Sequence, residues 1–128
     1  TVWNDCYNSN PDAARAMLDV LKETPASRRI AVLGEMLELG RWSEALHREV
    51  GRYVADSGIS VLVGIRGAAR YMVDEAVRAG LEAGAAYFFE DPGEAGDFVR
   101  SMAAEGDAVL FKGSRSVQME KALERFFG

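Results

Sequence analysis

The sequence predicts an α/β domain in which a mostly parallel sheet carries helices on both faces. Five short apolar segments are typical of strands, and each is followed by a segment whose apolar residues recur at helical spacing. The connections between these segments are short, as in chains of strand-helix-strand units. Such units cross over in the right-handed sense, so we expect a Rossmann-like, three-layer arrangement. On this prediction residues 1–128 form a single domain.

The first strand-helix unit is predicted from its ends. A short apolar segment begins at Val2 and ends at the carboxylate of Asp5, before a polar loop. In the segment 10–12, the asparagine can cap a helix, the proline fits its first position and the aspartate suits the positive end of its dipole. Helical spacing then continues until a Thr-Pro pair at 24–25 ends it.

The other four units repeat this order. The second strand, 29–33, is nearly continuous in apolar residues and is closed by Gly34, which is typical of a strand covered on both faces. Ser43 is predicted to cap the second helix and Asp91 the fourth, where a proline and an acidic residue follow in the first turn. The remaining predicted strands are 59–65, 85–89 and 108–111, and the remaining helices lie within 43–57, 67–80, 91–102 and 119–126.

Composition limits the classes of function. The formal net charge is -5 and there is no basic stripe, which argues against binding to nucleic acid. No apolar segment approaches the roughly 20 residues of a membrane helix and no signal peptide opens the chain, so we expect no membrane insertion and a cytoplasmic location. Cys6 is the single cysteine, which excludes an internal disulfide and fits a reducing compartment, and it is interpreted as a strand-end packing residue rather than a nucleophile. One cysteine and one histidine leave a zinc site short of ligands, so no metal site is predicted.

The carboxyl ends of the parallel strands are the predicted location of the functional site. They share one edge of the sheet, here called the rim, and open α/β sheets bind their ligands at such an edge. Three groups of polar residues are predicted to lie on it. They are Asp5, Tyr7, Asn8 and Asn10 after the first strand, Glu35 and Glu38 after the second, and Lys112, Ser114 and Arg115 after the fifth.

The group after the fifth strand is typical of an anion site. Two cations, a hydroxyl and the backbone N–H groups of a helix start can together hold a carboxylate or a single phosphate. The segment is not a Walker A loop, because the Gly-Lys-Ser sequence is absent. In the alternative interpretation Lys112 extends to solvent along apolar surface, while Ser114 or Ser116 only caps the last helix.

The other two groups also have two interpretations each. Asp5 offers two acceptor oxygens that suit a vicinal diol such as ribose, and Asn8 and Asn10 can pair with a base or a peptide amide. The same residues suit a turn and a helix cap. Glu35 and Glu38 can hold an ammonium group or can be solvated loop acids.

Three residues near the predicted site are interpreted as structural. His47 lies on the apolar stripe of the second helix, which favours a partly buried structural histidine, or one that flanks the site, over a general base. Trp3 and Trp42 are predicted to pack in the core or at the rim.

Three motifs, in this order along the chain, resemble the C-terminal domain of the Mur ligases. They are NDCYNSNPD at 4–12, AVLGEMLELG at 31–40 with His47 and Gly51 after it, and KGSR at 112–115 with Met119 and Glu120 after it. The resemblance covers essentially the whole chain. It is strongest for the branch of the family that joins D-alanyl-D-alanine to UDP-N-acetylmuramoyl-tripeptide.

This resemblance implies a peptide-bond-forming ligase of bacterial cell-wall synthesis. In the family, ATP phosphorylates the terminal carboxylate of the UDP-linked tripeptide, and the amine of the dipeptide attacks the acyl phosphate. The C-terminal domain closes over a central ATPase domain of the same full-length chain, which holds Mg2+, and an N-terminal domain holds the UDP moiety. Residues 1–128 contain neither of these domains, so the chain alone is expected to be inactive and no catalytic residue is assigned to it.

The resemblance also implies roles by position. The acid that binds the ATP ribose in the family corresponds to Asp5. The nucleotide-side residues are therefore Asp5, Tyr7, Asn8 and Asn10. The residues implied to hold or position the dipeptide are Lys112, Ser114, Arg115, Glu35 and Glu38.

The sequence lacks features that two other classes of α/β protein require. A response-regulator receiver needs an aspartate at the end of the third strand, where Gly64-Ile65-Arg66 stands. A dinucleotide-binding module needs G-x-G-x-x-G after the first strand, and that motif is absent. A stand-alone nucleotide- or ligand-binding module without catalysis, or an interaction domain, remains open.

Overall fold

The computed structural model describes residues 1–5, 10–114 and 117–128, which form a five-stranded parallel sheet with helices on both faces. The strands are β1 (Val2–Asp5), β2 (Arg28–Gly34), β3 (Val61–Ile65), β4 (Ala86–Phe89) and β5 (Asp107–Lys112). The helices are α1 (Pro11–Glu23), α2 (Ser43–Asp56), α3 (Ala69–Arg78), α4 (Pro92–Met102) and α5 (Met119–Phe127). The predicted fold class and the strand-helix alternation are confirmed.

The strand order β1-β5-β2-β3-β4 brings the first and last strands together. All four neighbouring pairs are parallel. Helices α1, α2 and α3 cover one face, while α4 and α5 cover the other. The chain changes face where it turns back from β4 to β5, because right-handed crossovers in opposite directions lie on opposite faces.

The side chains of β5 alternate between the two halves of the core. Leu110 packs with α1, α2 and α3, whereas Val109 and Phe111 pack with α4 and α5. None of the three is more than 2% exposed. Full burial of such a side chain contributes about 2 kcal/mol, which explains why a central strand is apolar on both faces.

Two predicted helix caps are confirmed. The Asn10 side chain accepts a hydrogen bond of 2.8 Å from Ala13 N, and Pro11 opens α1. The Asp91 carboxylate accepts one of 2.9 Å from Glu94 N at the start of α4. Each cap satisfies a backbone donor that the helix itself leaves unpaired.

The predicted cap at Ser43 is wrong. Helix α2 begins at Ser43 itself, and a 3-10 turn over Gly40–Trp42 leads into it. Within that turn Trp42 N donates to Leu39 O at 3.1 Å, and Trp42 already has helical backbone angles. The turn therefore replaces the extended residue on which a side-chain cap depends.

Helices α2 and α3 pack closely because Gly51 has no side chain. A Cβ added there would lie 2.1 Å from the carbonyl oxygen of Met72. Nearby, the buried carboxylate of Glu75 on α3 accepts hydrogen bonds from Arg52 at 2.7 Å and from Arg48 at 3.4 Å. These contacts join the two helices into one tight layer over the sheet.

Neither tryptophan lies in the core, so that part of the prediction is wrong. Trp42 is 58% exposed, and the Arg41 guanidinium lies over its ring at 4.9 Å. Trp3 is 39% exposed on edge strand β1, and its Nε1 donates to Thr24 Oγ1 at 3.1 Å. Both side chains have a polar or cationic neighbour instead of a closed apolar environment.

A search of the described residues for a helix both long and apolar enough to cross a membrane finds none.

Candidate functional site

The five strands end close to one another, so their loops form the predicted rim. Asp5 of β1 is opposite Lys112 of β5, and Lys112 is opposite Leu33 of β2. Toward the other edge strand, Ile65 of β3 is opposite Phe89 of β4. The carboxyl ends of β1, β5 and β2 are therefore immediate neighbours.

Asp5 and Lys112 form an ion pair at the centre of this rim. Lys112 Nζ donates to Asp5 Oδ2 at 2.9 Å, and Gly113 N donates to the Asp5 carbonyl at 3.1 Å. The Lys112 side chain is 1% exposed and that of Asp5 is 35% exposed. The carboxylate of Asp5 thus reaches the surface while the ammonium beneath it is buried.

This burial contradicts one of the two interpretations of Lys112. A lysine that extends to solvent keeps its ammonium group in water. The ammonium of Lys112 is instead withdrawn from water and held by Asp5. Taking a charge out of water costs several kcal/mol unless an opposite charge lies close. The Lys112 ammonium can therefore be buried because Asp5 pairs with it.

Ser114 carries an unsatisfied hydroxyl on the rim. Its Oγ is buried, and it has no hydrogen-bond partner within the part of the chain that the structure describes. Helix α5 begins only at Met119 and has no side-chain cap, so the interpretation of Ser114 as its cap is wrong. A buried hydroxyl without a partner costs about 1–3 kcal/mol, and a ligand or a water molecule that pairs with it recovers this energy.

Glu35 is not a solvated loop acid, because it joins the loop after β2 to the turn after β3. Its Oε2 accepts a hydrogen bond of 2.8 Å from Ala68 N, and its own N donates to Ile65 O at 2.9 Å. Gly67 has a positive φ of 52°, and a Cβ added to it would lie 2.2 Å from Glu35 Oε2. The carboxylate therefore occupies space that only a glycine leaves open.

Left-handed backbone conformations at residues other than glycine are concentrated in the rim loops. Within residues 1–5, 10–114 and 117–128 they are found at Glu38 after β2, Arg66 after β3 and Gln118 after β5. Such a conformation costs about 1–2 kcal/mol and is common at functional sites. The side chain of Glu38 is exposed.

His47 is buried beneath the loop after β2, as its position on the helix stripe predicted. Its Nε2 accepts a hydrogen bond of 2.9 Å from Met36 N, and its Nδ1 lies 2.7 Å from the carbonyl oxygen of Ser43. Burial lowers the pKa of the imidazole, while the Ser43 carbonyl and the charge of Glu35 act in the opposite direction. Both ring nitrogens are engaged, which argues against a general base.

Several residues that the sequence predicted to have a site or structural role lie outside the described residues. They are Cys6, Tyr7, Asn8, Arg115 and Ser116. Asn10 is described and is the cap of α1, with an exposed side chain. The structure therefore brings together Asp5 and Lys112 and locates Ser114 and Glu35 on the same rim, while the ligand-binding roles of all the predicted residues stay predictions.

A cavity of about 660 Å3 lies away from the rim and contains none of the predicted site residues. It is an open, largely apolar recess between edge strand β1 and the end of α1. Its walls are formed by Thr1, Trp3, Asp19, Val20, Glu23, Thr24 and Pro25. The rim has charges of both signs and a hydroxyl, that of Ser114, without a partner among the described residues, and it is better suited to a polar ligand.

In residues 1–5, 10–114 and 117–128, no group of three or more His, Cys, Asp or Glu side chains is placed to hold a metal ion. What these residues offer on the rim is an exposed carboxylate, a buried cation and a hydroxyl donor. Such groups can bind and orient a ligand that carries hydroxyl, ammonium or carboxylate groups.

Comparisons with known proteins show which family this chain resembles. Residues 1–115 match the family described as Mur ligase, glutamate ligase domain. The UDP-N-acetylmuramoyl-tripeptide--D-alanyl-D-alanine ligase of Haemophilus influenzae is 37% identical over 126 residues, covering 94% of this chain and 26% of that protein. The ligase of the same name from Rickettsia prowazekii is 30% identical over 122 residues, covering 95% of this chain and 26% of that protein.

A solved structure agrees with these relatives. The MurF ligase from Thermotoga maritima in complex with ADP matches with a TM-score of 0.79 and 27% identity, over 98% of this chain and 28% of that one. The chain thus spans about a quarter of the length of the relatives that it matches.

Proposed function

The chain belongs to the Mur ligase family, and we propose that it is the C-terminal domain of a bacterial ligase that joins D-alanyl-D-alanine to UDP-N-acetylmuramoyl-tripeptide. The relatives from Haemophilus influenzae and Rickettsia prowazekii, which are named for this reaction, match 94% and 95% of the chain, whereas the chain spans only about a quarter of their length. The remaining length suits the N-terminal UDP-binding domain and the central ATPase domain of the family. The whole enzyme would act in peptidoglycan precursor synthesis in the cytoplasm.

The reaction divides between the domains. ATP transfers its terminal phosphoryl group to the tripeptide carboxylate, and the amine of D-alanyl-D-alanine then displaces phosphate to form the peptide bond. The resemblance to the family assigns Mg2+ to the central domain. The present chain would supply one wall of the cleft, binding and orienting ligands, and alone it is expected to be inactive.

The nucleotide side of this wall is the loop that begins at Asp5. A carboxylate with two acceptor oxygens suits the vicinal diol of ribose, and that of Asp5 is 35% exposed above its buried lysine partner. The Thermotoga maritima MurF ligase was crystallised with ADP, which supports use of ATP by the whole enzyme. Tyr7, Asn8 and Asn10 are proposed to complete the adenosine side.

The dipeptide side is the segment that follows β5. The unpaired Ser114 Oγ is a donor that a substrate carboxylate can satisfy, and Arg115 adds a cation beside it in the sequence. Because Lys112 is buried against Asp5, we propose that it acts on the anion through its charge and by holding Asp5, rather than by direct contact. Glu35 and Glu38 are proposed to help position the ammonium end.

The observation that carries this proposal is the Asp5–Lys112 ion pair. It unites the first motif of the chain with the last one, so the nucleotide and dipeptide sides adjoin at one edge of the sheet. An amine and an acyl phosphate must meet for ligation, and adjacent binding loops serve that requirement.

A chimeric enzyme tests the proposal. The chain would replace the matching quarter of the Haemophilus influenzae relative, which is 37% identical to it. We expect phosphate release that requires ATP, UDP-N-acetylmuramoyl-tripeptide and D-alanyl-D-alanine together. A folded chimera that binds substrates but never ligates them would contradict the proposal and favour a stand-alone ligand-binding module.

A further inference from the structure

The buried side chain of His47 holds the loop after β2 at Met36. Met36 N donates to His47 Nε2 at 2.9 Å, across eleven positions of the chain. Met36 and His47 are 2% and 0% exposed respectively. A buried amide N–H that loses its acceptor lowers the stability of the fold, so this hydrogen bond fixes where the loop leaves β2.

The hydrogen bonds also define the protonation state of the ring. Nε2 accepts from a backbone N–H, so it carries no proton, and Nδ1 donates to the Ser43 carbonyl at 2.7 Å. The ring is therefore the neutral Nδ1–H tautomer. Burial lowers the pKa of His47, which favours this neutral form.

The residue next to Met36 extends the connection to the neighbouring loop. Glu35 Oε2 accepts from Ala68 N at 2.8 Å, in the turn after β3. The same turn contains Gly67, whose missing Cβ leaves room for the carboxylate. A displacement at Met36 would therefore move Glu35 and release Ala68, so two rim loops depend on one imidazole.

We propose that His47 is a positioning residue for the dipeptide side of the site, acting through Met36 and Glu35 on the loops after β2 and β3. The inference rests on the proposed function, because it assigns Glu35 to the dipeptide. Among the described residues, Asp5 takes no part in these contacts and is instead paired with Lys112, so the nucleotide side should be insensitive to His47.

Two substitutions separate the two hydrogen bonds of the ring. In His47→Gln the side-chain carbonyl reaches about as far as Nε2 and can still accept from Met36 N. In His47→Asn the shorter amide can only reproduce the Nδ1–H donor to Ser43. Both remove the ring, but His47→Asn leaves a larger cavity by one methylene group, so a role in packing alone would lower protection throughout the surrounding core and not selectively at Met36 and Ala68.

Amide hydrogen exchange of the 128-residue chain provides the first measurement. We expect Met36 N–H and Ala68 N–H to lose protection in His47→Asn and to keep it in His47→Gln, relative to exchange elsewhere in the core. Equal protection of Ala68 in both variants would overturn the inference. This measurement does not depend on any ligase activity.

Kinetics of the chimeric ligase provide the second measurement. We expect His47→Asn to raise the KM for D-alanyl-D-alanine by about tenfold, with the KM for ATP unchanged and with rescue in His47→Gln. An unchanged KM for the dipeptide in an active chimera would overturn the role of His47 and leave the proposed function intact. A wild-type chimera without ligase activity would instead overturn the proposed function, and with it the dipeptide role of His47.

Discussion

Asp5 Oδ2 lies 2.9 Å from Lys112 Nζ and so joins two residues that are 107 positions apart in the chain. The pair is asymmetric, with the lysine side chain 1% exposed and the aspartate side chain 35% exposed. One ion pair thereby connects the nucleotide side of the proposed site to the dipeptide side. Substitutions of its two members should consequently differ in both stability and kinetics.

The first prediction concerns stability. Asp5→Ala deprives a buried ammonium of its carboxylate and should lower the free energy of unfolding by about 2–3 kcal/mol. Lys112→Met replaces the buried cation with an apolar side chain of similar length, and its cost should stay below about 1 kcal/mol. Urea unfolding measures both. Equal losses, or a larger loss for Lys112→Met, would show that the asymmetry of burial does not govern the pair.

The second prediction separates the two substrates in the chimeric ligase. Asp5→Ala should raise the KM for ATP by about tenfold, because the ribose loses an acceptor. Arg115→Ala should raise the KM for D-alanyl-D-alanine by a similar factor, because the dipeptide carboxylate loses a cation. Lys22→Ala, an exposed charge on α1, is the control and should change neither constant. If both site variants behaved like this control, the assigned roles would be wrong.

The third prediction concerns the unsatisfied hydroxyl of Ser114. Removing it in Ser114→Ala relieves the cost of a buried polar atom, so the chain should be as stable as the wild type or more stable by about 1 kcal/mol. The same variant should raise the KM for the dipeptide. Thermal unfolding and steady-state kinetics give the two readouts. A less stable variant with unaltered kinetics would indicate a structural hydroxyl.

The fourth prediction is a pH dependence of stability near neutrality that comes from His47, the one histidine of the chain. Burial lowers its pKa in the folded state, against opposing effects of Ser43 and Glu35. The unfolded chain therefore takes up a proton near pH 6.5 that the folded chain does not. Stability is fully present above this pH and falls as the pH decreases, by at most about 1.4 kcal/mol per pH unit.

Denaturant unfolding between about pH 7 and 5.5 checks this dependence. The His47→Gln chain lacks the titrating group and should show no slope in that window. A slope of the same size in the variant would assign the effect to another group.

The fifth prediction tests the contact between α2 and α3. In Gly51→Ala the new Cβ would meet the Met72 carbonyl at 2.1 Å, so the helices must separate, at a cost of about 1–3 kcal/mol or more. Gly84→Ala is the matched control, because no atom lies within 4 Å of its added Cβ. Comparable unfolding midpoints for the two variants would contradict the close packing.

The strands and helices could be predicted because each depends on a local pattern. The apolar run 29–33 and the caps at Asn10 and Asp91 are recognisable from neighbouring residues alone. The predicted cap at Ser43 was wrong because it also relied on neighbouring residues alone. A short 3-10 turn, which no local sequence pattern indicated, precedes the helix in place of a side-chain cap.

The contacts within the site could not be predicted from local patterns. Asp5 meets Lys112 only because β5 lies beside β1, and strand order depends on how the whole chain folds. The acceptor role of His47 toward Met36, and that of Glu35 toward Ala68, depend on side-chain conformations across separate loops. The apolar stripe indicated that His47 would be buried, and no sequence signal indicated its partner.

Amide hydrogen exchange of the chimeric ligase, with and without ADP and D-alanyl-D-alanine, tests most directly whether the carboxyl edge of the sheet is the ligand wall. Bound ligands should protect the segments 2–5, 34–38 and 112–114, at the ends of β1, β2 and β5. They should leave the loops at the opposite edge, 24–27, 57–60 and 103–106, unchanged. Protection at the opposite edge only, or no protection at either edge, would contradict the placement of the site.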